Sequence, residues 1–156
     1  MAILNIIKND DAALRRICKP IDEITPRIRT LAEDMIETMR AANGCGLAAP
    51  QVGILRRIVV VEIEEDSPYV LINPKIIESE GEQNECEGCL SLPGKWGITS
   101  RPYRVVVEAT DLDGNLIQIE GEDLLARAFC HEIDHLDGKL YTDVVVREVS
   151  ADELED

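Results

Sequence analysis

The chain has 156 residues and a formal net charge of −15, with one Trp, three Tyr and one Phe. Such acidity repels phosphate backbones and so few rings offer little for bases to stack on, which argues against direct nucleic-acid binding. With 45% apolar and 30% charged residues, no apolar run of membrane-spanning length and no signal-peptide pattern at the start, the sequence is expected to form a single cytoplasmic domain over residues 1–156, with residues 150–156 as an acidic mobile tail and no membrane association.

Thr25 and Pro26 read as an N-cap followed by a first-turn proline. Ile28, Leu31, Met35, Ile36 and Met39 then recur at three- and four-residue spacings, one apolar helix face running to about Ala42. Asn43 and Gly44 stop it. Residues 44–53 read GCGLAAPQVG, too rich in glycine and small residues for a stable helix or a central strand, so a tight loop is expected. The β-branched run 58–63 predicts a buried strand. Residues 70–77 predict another, which Pro74 places at an edge or makes bulge. Runs 104–110 and 116–120 flank the turn residues Asp111 to Gly114 and predict a hairpin. From Asp123 to Leu136, the residues Leu124, Leu125, Ala128, Phe129, Ile133 and Leu136 return to helical spacing, and Gly138 closes that helix. Residues 144–146 suggest a last strand. Strands outnumber helices and come in blocks, so the fold class is α+β.

The second helix carries His131-Glu132-Ile133-Asp134-His135, and these are the only two histidines of the chain. At i and i+4 they share one helix face and reach one metal ion, while Glu132 between them is placed to act as a general base on a metal-bound water. A catalytic site of this kind takes a third protein ligand and leaves a position open. Upstream, Cys89 within Glu87-Gly88-Cys89-Leu90-Ser91 offers a thiolate. Two other readings of the same residues stand beside it. Cys86 and Cys89 could complete a closed, structural four-ligand zinc site. An endopeptidase could instead draw its third ligand from a downstream residue such as Glu148. The cysteines, Cys18, Cys45, Cys86, Cys89 and Cys130, are odd in number and do not suggest a disulfide framework; most of them, Cys130 included, read as small buried apolar residues.

Three segments in order, residues 44–51 (GCGLAAPQ), 87–91 (EGCLS) and 131–135 (HEIDH), resemble the signature segments of the peptide deformylases. That resemblance implies antiparallel strands packed around a central metal-binding helix, and removal of the formyl group from N-formylmethionyl nascent peptides with release of formate. It implies one divalent metal ion, Fe(II) in the cell with Zn, Ni or Co also accepted, held by Cys89, His131 and His135. Glu132 would move the protons, and the Gln51 side-chain amide and the Leu90 backbone N–H would stabilise the oxyanion. Gly44, Cys45 and Gly46 would lie along the substrate, with Gly46 closing on the metal site. Glu87 and Arg101 would form a bracing ion pair, and Cys86 and Phe129 would contribute to the methionine pocket. Transient ribosome contact would occur without the basic C-terminal helix of some members. The chain departs from the pattern at Cys130, where the family commonly has Gln, and in Asp10-Asp11-Ala12-Ala13-Leu14-Arg15, which lacks an expected proline.

Overall fold

The computed structural model describes residues 2–9 and 11–150; the acidic tail expected over 150–156 falls outside it beyond Ser150. In chain order the elements are α1 (Pro26–Ala41), β1 (Gly46–Ala48), β2 (Ile58–Val61), β3 (Tyr69–Glu80), β4 (Gln83–Cys89), β5 (Leu92–Arg101), β6 (Arg104–Thr110), β7 (Leu116–Glu122), α2 (Leu124–Leu136) and β8 (Val145–Val149). They build an α+β fold of two antiparallel sheets, one in the order β1-β2-β3-β6-β7 and one in the order β4-β5-β8.

The β2 run has no polar alternation because both its faces are covered. Ile58 and Val60 pack with Met35, Met39 and Leu47 beneath α1, whereas Val59 and Val61 pack with Leu71, Val105, Val107 and Phe129 beneath α2. Successive side chains of a strand point to opposite faces, so a strand between two helices must be apolar throughout. The helices thus sandwich the five-stranded sheet. The Thr25 side chain accepts from the Ile28 N–H at the start of α1, as the capping residues require.

Strand β3 resolves the ambiguity at Pro74. It is the central strand of its sheet, and the register shifts between Ile72 and Lys75. The missing N–H of proline is therefore absorbed by a bulge, in which Asn73 takes a φ of +51° and its side chain exchanges two 2.8 Å hydrogen bonds with the Ile21 backbone. The 104–110 and 116–122 hairpin forms as expected.

Two local expectations are corrected. Residues 46–48 form edge strand β1, pairing with β2, and residues 49–52 form a 3-10 turn rather than an irregular loop. Small side chains suit this position because the strand is completely buried, with α1 and α2 both packed against it. The β4–β5 hairpin has no counterpart among the expected elements. Its sequence lacks apolar alternation, and its pairing is specified across the ladder from Gln83–Arg101 to Cys89–Leu92.

The end of α2 is firmly held. The Cys18 N–H and the Arg57 guanidinium both donate to the Leu136 carbonyl, at 2.8 and 3.1 Å, and satisfy one of the carbonyls a helix end leaves unpaired. Gly138 follows with a φ of +74°, and a side chain there would run into the Arg15 backbone. These ties fix the axial position of His135, the residue just before, and of His131 about a turn earlier.

Candidate active site

Three segments meet at a cleft of about 360 Å3: the 44–51 stretch, the β4–β5 turn and one face of α2. On α2, Leu124, Arg127, Ala128, His131 and Glu132 face this cleft, following the three- and four-residue repeat of one helix face. The ligand atoms of Cys89, His131 and His135 lie within 4.8 Å of one another, and this is the sole such trio among the described residues. Cys89 Sγ stands 3.4 Å from His135 Nε2. Neither Cys86 nor Glu148 joins the cluster, which separates the open three-ligand arrangement from both alternatives. Cys86 instead lines the cleft wall.

The donor set fits a divalent transition ion. One thiolate and two imidazoles are the soft and borderline ligands such ions favour. His131 Nδ1 is engaged by Glu87 Oε1 at 2.9 Å, so its Nε2 is the nitrogen left for an ion. Beside the trio, the buried Glu132 Oε1 has no hydrogen-bond partner, as expected of a carboxylate shaped to meet something that enters the site. Burial raises the Glu132 carboxyl to about 7, the charge of His131 opposing and that of Glu87 adding to it.

A buried network supports His131. Arg101 donates Nε to Glu87 Oε2 at 3.0 Å and Nη2 to Glu87 Oε1 at 3.1 Å, a two-pronged pairing. Its Nη1 donates to Asp134 Oδ2 at 2.6 Å, and the Thr99 hydroxyl donates to Glu87. Burial works to raise the Glu87 carboxyl, but hydrogen bonds from His131 and Arg101, with the charges of both, overcome it and lower it to about 2. No motif marks Asp134 or Thr99 for this role. No spacing rule links them to Arg101, which reaches Asp134 over 33 residues.

Gln51 is buried and its amide orientation is set at both ends. Its Oε1 accepts from the Ala48 N–H at 2.9 Å, while Nε2 donates to Ser91 Oγ at 3.1 Å and approaches Cys89 Sγ at 3.6 Å. The N–H bonds therefore face the metal trio. The segment before α1 ties down both supports, Ile7 N–H donating to the Gln51 carbonyl and Asn9 N–H to the Ser91 carbonyl, each at 2.7 Å. Gly44, Cys45, Gly46 and Leu90 also line the cleft. Any side chain at Gly46 would overlap the Glu132 carboxylate, so only glycine permits the strand and the base to lie this close.

Phe129 is corrected. It is fully buried in the core, edge-on to Tyr69 with ring centroids 5.7 Å apart, and does not line the cleft. Two residues before His131 on a helix is about 200° around the axis, which turns Phe129 toward the sheet. Ala128, Leu124 and Arg127 take the wall expected for Phe129. Cys130 is a core residue as expected, 4% exposed, with burial pushing its thiol up to about 11.

The chain resembles known proteins in sequence and in fold. The family model for polypeptide deformylase matches residues 3–150. The peptide deformylase of Acetivibrio thermocellus is 56% identical over 155 residues, covering 99% of this chain and 91% of the relative. Among solved structures, a peptide deformylase from Legionella pneumophila superposes with a TM-score of 0.90 at 42% identity, covering 92% of this chain and 86% of the other. That from Thermotoga maritima gives 0.89 at 36% identity over 93% and 99% of the two chains. A Synechococcus elongatus peptide deformylase, solved in complex with actinonin, is 38% identical over 97% of this chain and 82% of that chain, with a TM-score of 0.88.

Proposed function

The chain belongs to the polypeptide deformylase family, and from that premise we propose that Cys89, His131 and His135 hold one divalent ion and that Glu132 carries the protons of hydrolysis. The family is one of metal-dependent hydrolases whose function is deformylation of nascent peptides. The observation that carries the residue assignment is the trio within 4.8 Å beside a buried carboxylate whose Oε1 has no protein partner.

A divalent ion held by Cys89, His131 and His135 would supply Lewis acidity to the site. Glu132 accepts the proton of the attacking water and returns it to the departing amine as the formyl C–N bond breaks, leaving formate and a free N-terminus. A carboxyl raised to about 7 is matched to both halves of that task. The Gln51 amide, held by Ala48 and Ser91, offers its second N–H to the oxyanion, and the Leu90 N–H is the second donor. Glu87 fixes the ring of His131, and Arg101 fixes Glu87. Gly44, Cys45 and Gly46 run beside the extended peptide, with Leu124, Ala128 and Cys86 around the methionine side chain.

Fe(II) is our reading of the resident ion, following the family resemblance, with Zn, Ni and Co as substitutes the same donors accept. The setting we propose is the cytoplasm, on formylmethionyl chains emerging from the ribosome and by transient contact. No helix among the described residues is long and apolar enough to cross a membrane.

The test is anaerobic and uses Fe(II)-loaded protein with a formyl-Met peptide and its acetyl-Met twin. Amine release is expected from the formyl peptide and at least about a hundredfold less from the acetyl one, because a site shaped around hydrogen excludes a methyl. Release from neither peptide would overturn the reading. In parallel, Cys89→Ala is expected to lose most bound metal and activity together. Full metal content and turnover in that variant would move the third ligand elsewhere.

A further inference from the structure

Arg127 lines the cleft, yet neither the metal trio nor the proton-transfer and oxyanion groups use it. It lies one helical turn before His131 on the same face of α2, so its guanidinium is presented about 5 Å farther along the cleft. Helical side chains lean toward the helix start, which carries it away from the reacting centre and along the path of the substrate. The other guanidinium at this site, that of Arg101, is fully committed to Glu87 and Asp134. That of Arg127 is not. Its Nη1 makes one long bond, 3.5 Å to the Cys86 carbonyl, and its Nε is buried with no hydrogen-bond partner. A shielded donor on a cation facing a cleft is a recognition element lacking its acceptor.

The charge around it narrows what that acceptor is. The chain carries −15 overall, so a free anion approaching it meets net repulsion. Within the cleft the two carboxylates are Glu87, consumed by Arg101, and Glu132, turned to the metal trio; the cations are Arg127 and Lys95. Guanidinium matches carboxylate in a planar two-pronged geometry that a lone amide or ammonium does not reproduce. The aliphatic stem of Arg127 can line the cleft beside Ala128 while its head reads a polar group. Arg127 shares its wall with Leu124, Ala128 and Cys86, beside the methionine side chain, and an extended peptide advances about 3.3 Å per residue with alternate side chains on one face, so a long guanidinium arm there reaches the residues that follow the formylmethionine.

We propose that Arg127 is a specificity-determining residue that pairs with an acidic side chain in the first two positions after the formylmethionine, so that formylated peptides with Asp or Glu there are the preferred substrates. The proposal rests on the deformylase reading above. It implies a preference opposite to the one the net charge alone would produce.

The experiment compares formyl-Met-Glu-Ser with formyl-Met-Gln-Ser, and formyl-Met-Ser-Glu with formyl-Met-Ser-Gln. The reading is the Glu-to-Gln ratio of kcat/KM within one protein, which removes any general change in activity. In the wild type at least one pair should favour Glu by roughly three- to tenfold, carried by KM and weakened by salt, as a partly exposed charge-assisted pair behaves. In Arg127→Gln the ratio should fall to one or below, because the remaining field is repulsive. Arg127→Lys should restore part of it, and Lys95→Gln should leave it in place. A wild-type ratio of one for both pairs, or a ratio that survives Arg127→Gln, would overturn the proposal and leave Arg127 as a brace on the Cys86 carbonyl. The unformylated peptides Met-Glu-Ser, Met-Gln-Ser, Met-Ser-Glu and Met-Ser-Gln, titrated calorimetrically, give the same ratios without hydrolysis. If no formyl peptide is turned over while Arg127-dependent binding of a Glu peptide persists, the deformylase reading fails and the anion-reading role stands. If neither Glu peptide binds better than its Gln twin, that role fails whatever the turnover.

Discussion

Glu132→Gln is expected to keep the fold and the bound metal while turnover falls by roughly two to four orders of magnitude. The substitution preserves shape, which matters because Gly46 packs directly on this carboxylate. It removes the one property hydrolysis needs from the group, the ability to take up and release a proton at a carboxyl raised to about 7. Stability should not suffer. Glu132 is buried, its Oε1 has no protein partner, and a neutral amide is cheaper to bury than a carboxylate. Single-turnover rates on a formyl-Met peptide, metal content and a melting curve on the loaded protein check all three. Near-normal turnover would remove Glu132 from the chemistry. Loss of metal or melting would show instead that the side chain supports the site structurally.

Arg101→Leu should destabilise the fold strongly, by about 3–5 kcal/mol. Arg101 is 5% exposed and is the cation facing both Glu87 and Asp134. Removing it leaves the buried Glu87 carboxylate without the two-pronged partner that helps hold it ionised, and an uncompensated buried charge costs more than the pair contributed. The double variant Arg101→Leu with Glu87→Gln should recover a large part of the loss, because the orphaned charge is gone. Urea denaturation of the wild type and both variants gives the numbers. A single-variant cost below about 1 kcal/mol, the range of exposed pairs, would show that water reaches the network and that it braces nothing. Activity should fall with stability in Arg101→Leu, since Glu87 orients His131 through Nδ1.

Both predictions concern groups whose identity is readable in the chain, but to different depths. The role proposed for Glu132 follows from its position between two histidines a turn apart. The Glu87–Arg101 pair comes only with the family resemblance, and its extension to His131, Thr99 and Asp134 becomes visible once β4, β5 and α2 are brought together. The wall proposed for the methionine side chain shows the same division. Cys86 lines the cleft, whereas Phe129 is turned away and Arg127, which no motif marks, faces inward.

Local periodicity and chemistry determined much of this protein. The faces of α1 and α2, the doubly buried β2, the bulge forced by Pro74, the 104–122 hairpin and the metal-binding spacing in α2 all depend on residues within a turn or two of one another. Those signals survive without a fold because backbone geometry alone sets them. Tertiary structure decided the rest. The polar β4–β5 hairpin exists because each strand supplies the other's hydrogen bonds, and the small-residue stretch 46–48 became a strand because β2 lay alongside it. Cys89 reached His135 across 46 residues, and Glu87 reached His131 across 44. Contacts over such separations are specified by the packing of whole elements, where the burial of Leu71, Phe129 and their neighbours carries the free energy that no short segment holds by itself.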